Sequence, residues 1–281
     1  MEDRRIGIIL PTFNVEKTIT DCLENLIPLL GDSHTLLIID NQSTDGTVAL
    51  VEHFLSQNQH LLNCVALCIH RENLGYGASI KAGFEYYLTK EVNSMLVLHS
   101  DNQTDNFLLA KRLEDESTAF PAQNQVILGS RFTLGSELKE YSSLRKVANI
   151  FFNWLTRVCV GSRLSDAGTA MTLTSSGALR KINFQALSDD WRFHPELNIL
   201  FSVNKEINVR EIPMEWADSN ARSSVPLLKY GFNLTALILK VGVHRFIRRP
   251  VHESVERKQF STPHDLQVIL DSKELLGPCG S

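Results

Sequence analysis

"TLLIIDNQSTDGT", residues 35–47, decides the fold. Leu36, Leu37, Ile38 and Ile39 run without a polar interruption into Asp40. An apolar run without alternation reads as a strand covered on both faces. Ser43 to Thr47 then supply a turn and a helix start. The same unit recurs three times. "RIGIIL" (5–10) ends at Pro11, and Asn14 is placed to cap the next helix, where Val15, Ile19, Cys22 or Leu23, Leu26 and Leu30 share a face. "CVALCIH" (64–70) leads into the glycine loop "NLGYGAS" (73–79) and a helix with Ile80, Phe84 and Leu88 on one side. "SMLVLH" (94–99) is a fourth strand.

Strands that alternate with helices build a mostly parallel sheet, joined by right-handed crossovers and covered by helices on both faces. The expected class is therefore α/β, a Rossmann-like three-layer fold. Asp40, His70 and His99 all end strands on the edge where open parallel sheets bind ligands. The second half reads as a strand over 125–132, a long helix over 143–160, a Thr-rich strand over 168–175, a helix over 194–204 and an edge strand over 207–216. A final helix is expected over 227–249, followed by a tail from Pro250 with a helical pattern around 264–276.

The 281 residues suffice for one large α/β domain or two small ones. A net charge of −4 argues against a globally basic nucleic-acid binder, so no nucleic-acid partner is expected. The five cysteines show no C-x-x-C and no zinc spacing, which fits a reducing cytosol. "MEDRRIGIIL" lacks the apolar region of a signal peptide, and no run of 18 apolar residues offers a membrane span.

Several residues carry candidate chemistry. Phe13 at a strand end can stack on a base or simply pack in the core. Asp40 can accept a ring N–H of uracil or guanine, whereas Asp45 reads as a turn-forming residue. Gly75 and Gly77 miss the dinucleotide fingerprint, since Ile80 stands at its sixth position and the loop follows the third strand. They still permit close backbone approach at a helix N-terminus, suited to phosphate or nucleotide. In "VLHSDNQTD" (97–105), His99, Asp101 and Gln103 alternate and would point to one side of an extended exit. Together they can hold a divalent ion, Mn²⁺ or Mg²⁺, with imidazole favouring Mn²⁺. The stretch also reads as a polar turn in which Asp105 caps the next helix.

"PTFN", "IIDNQSTDGT", "NLGYGAS" and "LHSDNQTDN", in this order and each at a strand's C-terminal edge, resemble the motifs of family-2-type inverting glycosyltransferases of the GT-A fold. "ILGSRF", Arg145 fourteen residues after Arg131, "LSDAGTAM" and "VREIPMEW" resemble the branch of dolichyl-phosphate mannose and polyprenyl-phosphate sugar synthases. The resemblance covers roughly residues 5–230 and implies a hexosyltransferase domain over 1–226. It implies a nucleotide-sugar donor, UDP- or GDP-linked, contacted by Pro11, Phe13 and Asp40. It implies metal and donor diphosphate at Asp101 and Gln103, with His99 in place of the first Asp, and an acceptor lipid phosphate at Arg131, Arg145 and Arg222. Bidentate guanidinium groups suit that phosphate. Glu196 falls where the family has an acidic helix residue, and Asp190 is a candidate base should the acceptor be a glycan hydroxyl. Asn41 for Asp, His99 for Asp, Ala170 and Thr172 for Gly and Arg, Asn149 for Ser, and "ARSSV" without its Lys depart from the pattern. A non-catalytic GT-A module that binds a nucleotide or a partner is the alternative reading.

Residues 227–249 hold Lys229, Lys240, Arg245, Arg248 and Arg249 and no acid, beside an apolar face of Leu234, Leu237, Ile238 and Val241. This basic amphipathic helix, followed by the tail 250–281, suits an anionic membrane surface as well as a domain face. The expected place is the cytoplasm, peripheral to the inner face of the membrane.

Overall fold

The computed structural model describes residues 5–31, 33–90, 92–218, 227–246 and 266–270. The chain begins with β1 (Ile6–Thr12), α1 (Ile19–Leu26), β2 (His34–Asp40), α2 (Thr47–Gln57), β3 (Val65–His70), α3 (Tyr76–Thr89), β4 (Ser94–Val97) and α4 (Asn106–Ala119). It continues with β5 (Gln125–Ser130), β6 (Glu137–Lys139), α5 (Ser143–Val160), β7 (Thr172–Ser175), α6 (Ser176–Leu179), α7 (Phe193–Val203), β8 (Asn208–Pro213), β9 (Glu215–Ala217), α8 (Leu227–Phe246) and β10 (Leu266–Leu270). The main sheet has the order β10-β3-β2-β1-β4-β7-β5-β8, and β6 pairs with β9 in a small second sheet. Strands β1 to β4 and the β5–β8 pair are parallel. Strand β7 runs antiparallel between β4 and β5, and β10 runs antiparallel along β3.

Both faces of the sheet are covered, which is why its strands are apolar throughout. Ile8, Leu10, Leu36 and Ile38 pack with Ile19, Leu23, Leu26, Val51, Leu55 and Leu113 of α1, α2 and α4. Ile9, Leu37 and Ile39 face the other way, into a core with Ile80, Phe84, Phe193, Leu197, Leu234 and Ile238 of α3, α7 and α8. Truncating any of the fully buried Leu or Ile to Ala costs about 2–5 kcal/mol. Gly7 is demanded by a close approach: a Cβ there would lie 2.5 Å from the Tyr87 ring. The Tyr87 hydroxyl lies 2.9 Å from the Thr35 carbonyl and 3.2 Å from that of Ile8, bracing α3 on β1 and β2.

Two local expectations are corrected. Asn14 caps no helix: α1 starts at Ile19, and Thr18 at its N-cap makes no side-chain cap bond. Asn14 adopts φ +52° and its Oδ1 accepts the Thr44 amide at 2.8 Å, joining the β1 exit to the β2 turn. Within the tail, Leu266–Leu270 is a strand rather than a helix, because the edge of β3 offers backbone groups for it to pair. Helix α8 packs on α5, with Leu234, Ile238 and Val241 in the shared core.

Candidate active site

The parallel register brings Thr12 beside Asp40 and Asp40 beside Ile69, so the ends of β1, β2 and β3 meet at one edge. Phe13 stands there 42% exposed. Pro11 accepts the Ser100 hydroxyl on its carbonyl at 2.9 Å, tying the ends of β1 and β4. Asp40 is buried, and its carboxylate accepts from the Ser43 amide (2.7 Å), the Ser43 hydroxyl (2.5 Å) and the Thr12 hydroxyl (3.2 Å). A carboxylate offers about four lone-pair sites, so these three bonds leave room for roughly one more donor. Asn41 donates to Asn73 Oδ1 (2.9 Å) while its own Oδ1 accepts the Leu74 amide (3.0 Å). An Asp at 41 could not donate, which accounts for Asn at this position. Asp45 closes the helix start, accepting from the Thr47 amide and hydroxyl, as its turn sequence implied.

Gly75 and Gly77 make their close approach to the protein's own loop. A Cβ at Gly75 (φ +98°) would lie 2.4 Å from the Asp189 carbonyl, and one at Gly77 2.4 Å from that of Ser188. The Ala78 amide donates to the Asp189 carbonyl at 3.2 Å, so this chain segment occupies the α3 N-terminus. The loop is pinned further. Buried Lys81 donates to the Leu187 carbonyl (2.5 Å) and to Asp189 Oδ1 (2.8 Å). Glu196 accepts the Ser188 amide and hydroxyl, both at 2.6 Å. Asp190 holds the Arg192 guanidinium by bonds of 2.6, 2.8 and 3.1 Å.

The β4 exit does not stay extended. Asn102 adopts φ +55°, which breaks the alternation between Asp101 and Gln103. His99 Nδ1 lies 3.9 Å from Asp101 Oδ2, while Gln103 turns away to donate to Asp218 at 3.3 Å. Asp105 accepts the Leu108 amide and caps α4, so both readings of this stretch hold for different residues. Burial alone would raise the Asp101 carboxyl. The His99 bond and charge and the Gln103 amide outweigh it and hold it below its ordinary range.

Behind Asp101 lies an array that sequence reasoning missed. The Tyr76 hydroxyl lies 3.4 Å from His99 Nε2 and 3.2 Å from His194 Nδ1. Trp191 stacks on Tyr76, with ring centroids 4.7 Å apart and planes 14° apart. Burial, and next the charge of Asp101, push the Tyr76 phenol well up, so it keeps its proton. Burial and the nearby charge of His99 push His194 down to about 3, so it is neutral. The spacing of Trp191 and His194, one turn apart at the α7 start, was the available signal.

On the other side, Arg131 binds the fully buried Asp166 through Nε (2.7 Å) and Nη2 (2.8 Å), and its guanidinium lies 5.5 Å from the Trp216 ring centroid. Arg145 Nη1 donates to both oxygens of Asp218, at 2.6 and 2.9 Å. Asp218 thus links Arg145 to Gln103. Asn149 donates to the Tyr141 hydroxyl at 2.9 Å. Ala170 is half-buried, and Thr172 opens β7. Arg222 lies outside the described residues, as do Arg248, Arg249 and the whole stretch "ARSSV".

Among the described residues no three His, Cys, Asp or Glu side chains converge as a metal cage. The donor set nevertheless fits an ion that takes most of its shell from a bound diphosphate. Asp101 presents a partly exposed hard carboxylate at the sheet edge, kept ionised.

Comparison with known proteins matches this architecture. A UDP-N-acetylglucosamine–dolichyl-phosphate N-acetylglucosaminyltransferase of Methanococcus voltae is 23% identical over 253 residues, spanning 86% of this chain and 98% of the relative. The structure of Mycobacterium tuberculosis glucosyl-3-phosphoglycerate synthase with Mn²⁺, UDP and glucosyl-3-phosphoglycerate superposes with a TM-score of 0.56 at 15% identity, over 88% of this chain and 81% of that one. The Pyrobaculum calidifontis mannosyltransferase with GDP-Man and Mn²⁺ superposes with a TM-score of 0.53 at 14% identity, over 88% and 65%. These likenesses show the GT-A fold. The sequence profile of glycosyl transferase family 2 matches residues 7–182, the span that carries β1 to β4, Asp101 and Arg131, and the chain belongs to that family.

Proposed function

We propose that this glycosyltransferase moves a sugar from a nucleotide-sugar to a polyprenyl phosphate, with inversion at the anomeric carbon. The observation that carries the reading is the Arg145–Asp218–Gln103 chain. It holds a carboxylate between the metal-motif loop and an acceptor-side arginine. A lipid phosphate is a stronger oxyanion for the same guanidinium. The substrates named for the Methanococcus voltae relative, a UDP-sugar and dolichyl phosphate, support the same pair of substrate classes.

In this mechanism Phe13 and Asp40 receive the nucleoside, and Asp101 would hold a divalent ion, Mn²⁺ or Mg²⁺. When bound, that ion neutralises the departing nucleoside diphosphate. Arg145 and Arg131 orient the acceptor phosphate for attack on the face opposite the leaving group. The phosphate is already anionic, so the step needs no general base. This leaves Asp190 to its structural pairing with Arg192. His99 acts as a positioning residue rather than a ligand, since its nitrogens face Asp101 and Tyr76. The Tyr76 hydroxyl sits between His99 Nε2 and His194 Nδ1 and ties the two rings together.

A thermal-shift panel of UDP- and GDP-sugars, each with and without Mn²⁺, tests the donor side. Ligand at 100 times its Kd stabilises the fold by about 2.7 kcal/mol. One nucleotide series should raise Tm by several degrees, and more so with Mn²⁺. No shift with any donor would refute the site.

A further inference from the structure

Helix α5 carries apolar residues on two of its sides, and one of them is uncovered. Leu144, Val147, Phe151, Trp154 and Val158, at spacings of three and four residues, form a single stripe, each at least 50% exposed. Ile150 widens it. The other apolar side, with Phe152, Leu155, Cys159 and Val160, packs into the core against α8. Alongside, α8 exposes Phe232, Leu239 and Val243. A helix with two apolar sides has one too many for a water-soluble surface, and contiguous apolar patches of this kind mark binding faces.

The charge around the patch says what covers it. Lys146 and Arg157 of α5 and Lys240 of α8 are exposed cations, and neither helix carries a single Asp or Glu. The whole chain, by contrast, has 32 acids and 28 Lys or Arg. Lys146 and Arg157 are exposed and flank the stripe one helical face away. A second copy docked across a two-fold axis would set these cations against each other. A bilayer with anionic headgroups meets both features, burying the Trp and Phe and pairing the cations. No described helix is long and apolar enough to cross a membrane.

We propose that the α5–α8 pair is a membrane-docking surface, with the α5 stripe inserted among the headgroups of an anionic bilayer. This deepens the lipid-acceptor reading, because the N-terminal turn of α5 also carries Arg145. A polyprenyl phosphate lodged in the bilayer would therefore meet the active site without leaving its membrane.

The test is cosedimentation of the full chain with vesicles of phosphatidylcholine alone, or of equal parts phosphatidylcholine and phosphatidylglycerol. Neither contains polyprenyl phosphate, so the result is independent of the acceptor reading. The protein should bind the mixed vesicles at low salt and release them at high salt. Trp154→Glu should weaken binding about tenfold or more, and each of Lys146→Glu and Arg157→Glu about fivefold. Thermal unfolding should be unchanged, since all three side chains are exposed. In a second measurement, brominated lipid should quench the wild-type tryptophan emission, and Trp154→Phe, which keeps the helix surface, should lose most of that quenching. Failure of the wild type to bind, binding by Trp154→Glu equal to wild type, or a dimer that Trp154→Glu dissociates would each overturn the proposal.

Discussion

At the ends of β1 to β4 the polar residues are held by nearby turns. Asp40 is fixed by the Ser43 amide, three residues on, and Asp101 by the Gln103 amide, two residues on. At the ends of β5 and α5 the cations are held by acids distant in sequence: Arg131 by Asp166 and Arg145 by Asp218. The first region is a preformed edge whose geometry follows from local chain direction. The second is a set of ion pairs that an anionic acceptor must enter or exchange. The two sides of the cleft thus treat charge differently, one by turn geometry and one by pairing.

The largest expected effect breaks the first side. Asp101→Ala should lower transfer about a thousandfold, the roughly 4 kcal/mol expected when charge neutralisation at a leaving diphosphate is lost. Steady-state kinetics at saturating donor would show it, and near-normal turnover would remove Asp101 from the site. Next comes the ion-paired side. Arg131→Ala leaves a buried Asp166 without its cation and should cost about 3–5 kcal/mol of stability in urea unfolding. A cost below about 1 kcal/mol would mean the pair is not built as described.

A third prediction concerns pH. His194 titrates at about 3 when folded and near 6.5 when unfolded, so the unfolded chain binds the extra proton between these values. Its contribution is complete above about pH 6.5 and is lost progressively toward pH 3, with a slope of about 1.4 kcal/mol per pH unit. His194→Gln should flatten that part of the stability profile, and an unchanged slope would contradict it. The smallest effect sharpens the array behind Asp101. Tyr76→Phe removes the hydroxyl between His99 and His194 and should weaken Mn²⁺ binding in the presence of nucleotide about tenfold, read by paramagnetic resonance. Unchanged affinity would show that His99 needs no such support.

Much of the parallel sheet was legible because apolar runs such as residues 36–39 and 95–98 admit few alternatives to a strand covered on both faces. Helix α5 was legible to its boundaries, 143–160. Its two apolar sides were not separable, because periodicity does not say which side meets the core. The tail strand was misread since "LQVIL" fits either period, and only the unpaired edge of β3 decides. At the site, the left-handed residues Asn14 and Asn102 turned two expected directions, and no local signal marks them among other Asn. Tyr76, Asp166, Trp191, His194 and Asp218 were missed because their roles depend on partners far along the chain.

The most direct measurement incubates the purified chain with radiolabelled nucleotide-sugars, Mn²⁺ and a polyprenyl phosphate, and counts label in the organic phase. Label should enter the organic phase from one nucleotide-sugar, only with the lipid phosphate present, and not with Asp101→Ala. Donor binding in the thermal-shift panel with no lipid-linked product from any UDP- or GDP-sugar would contradict the account and return the chain to a nucleotide-binding module.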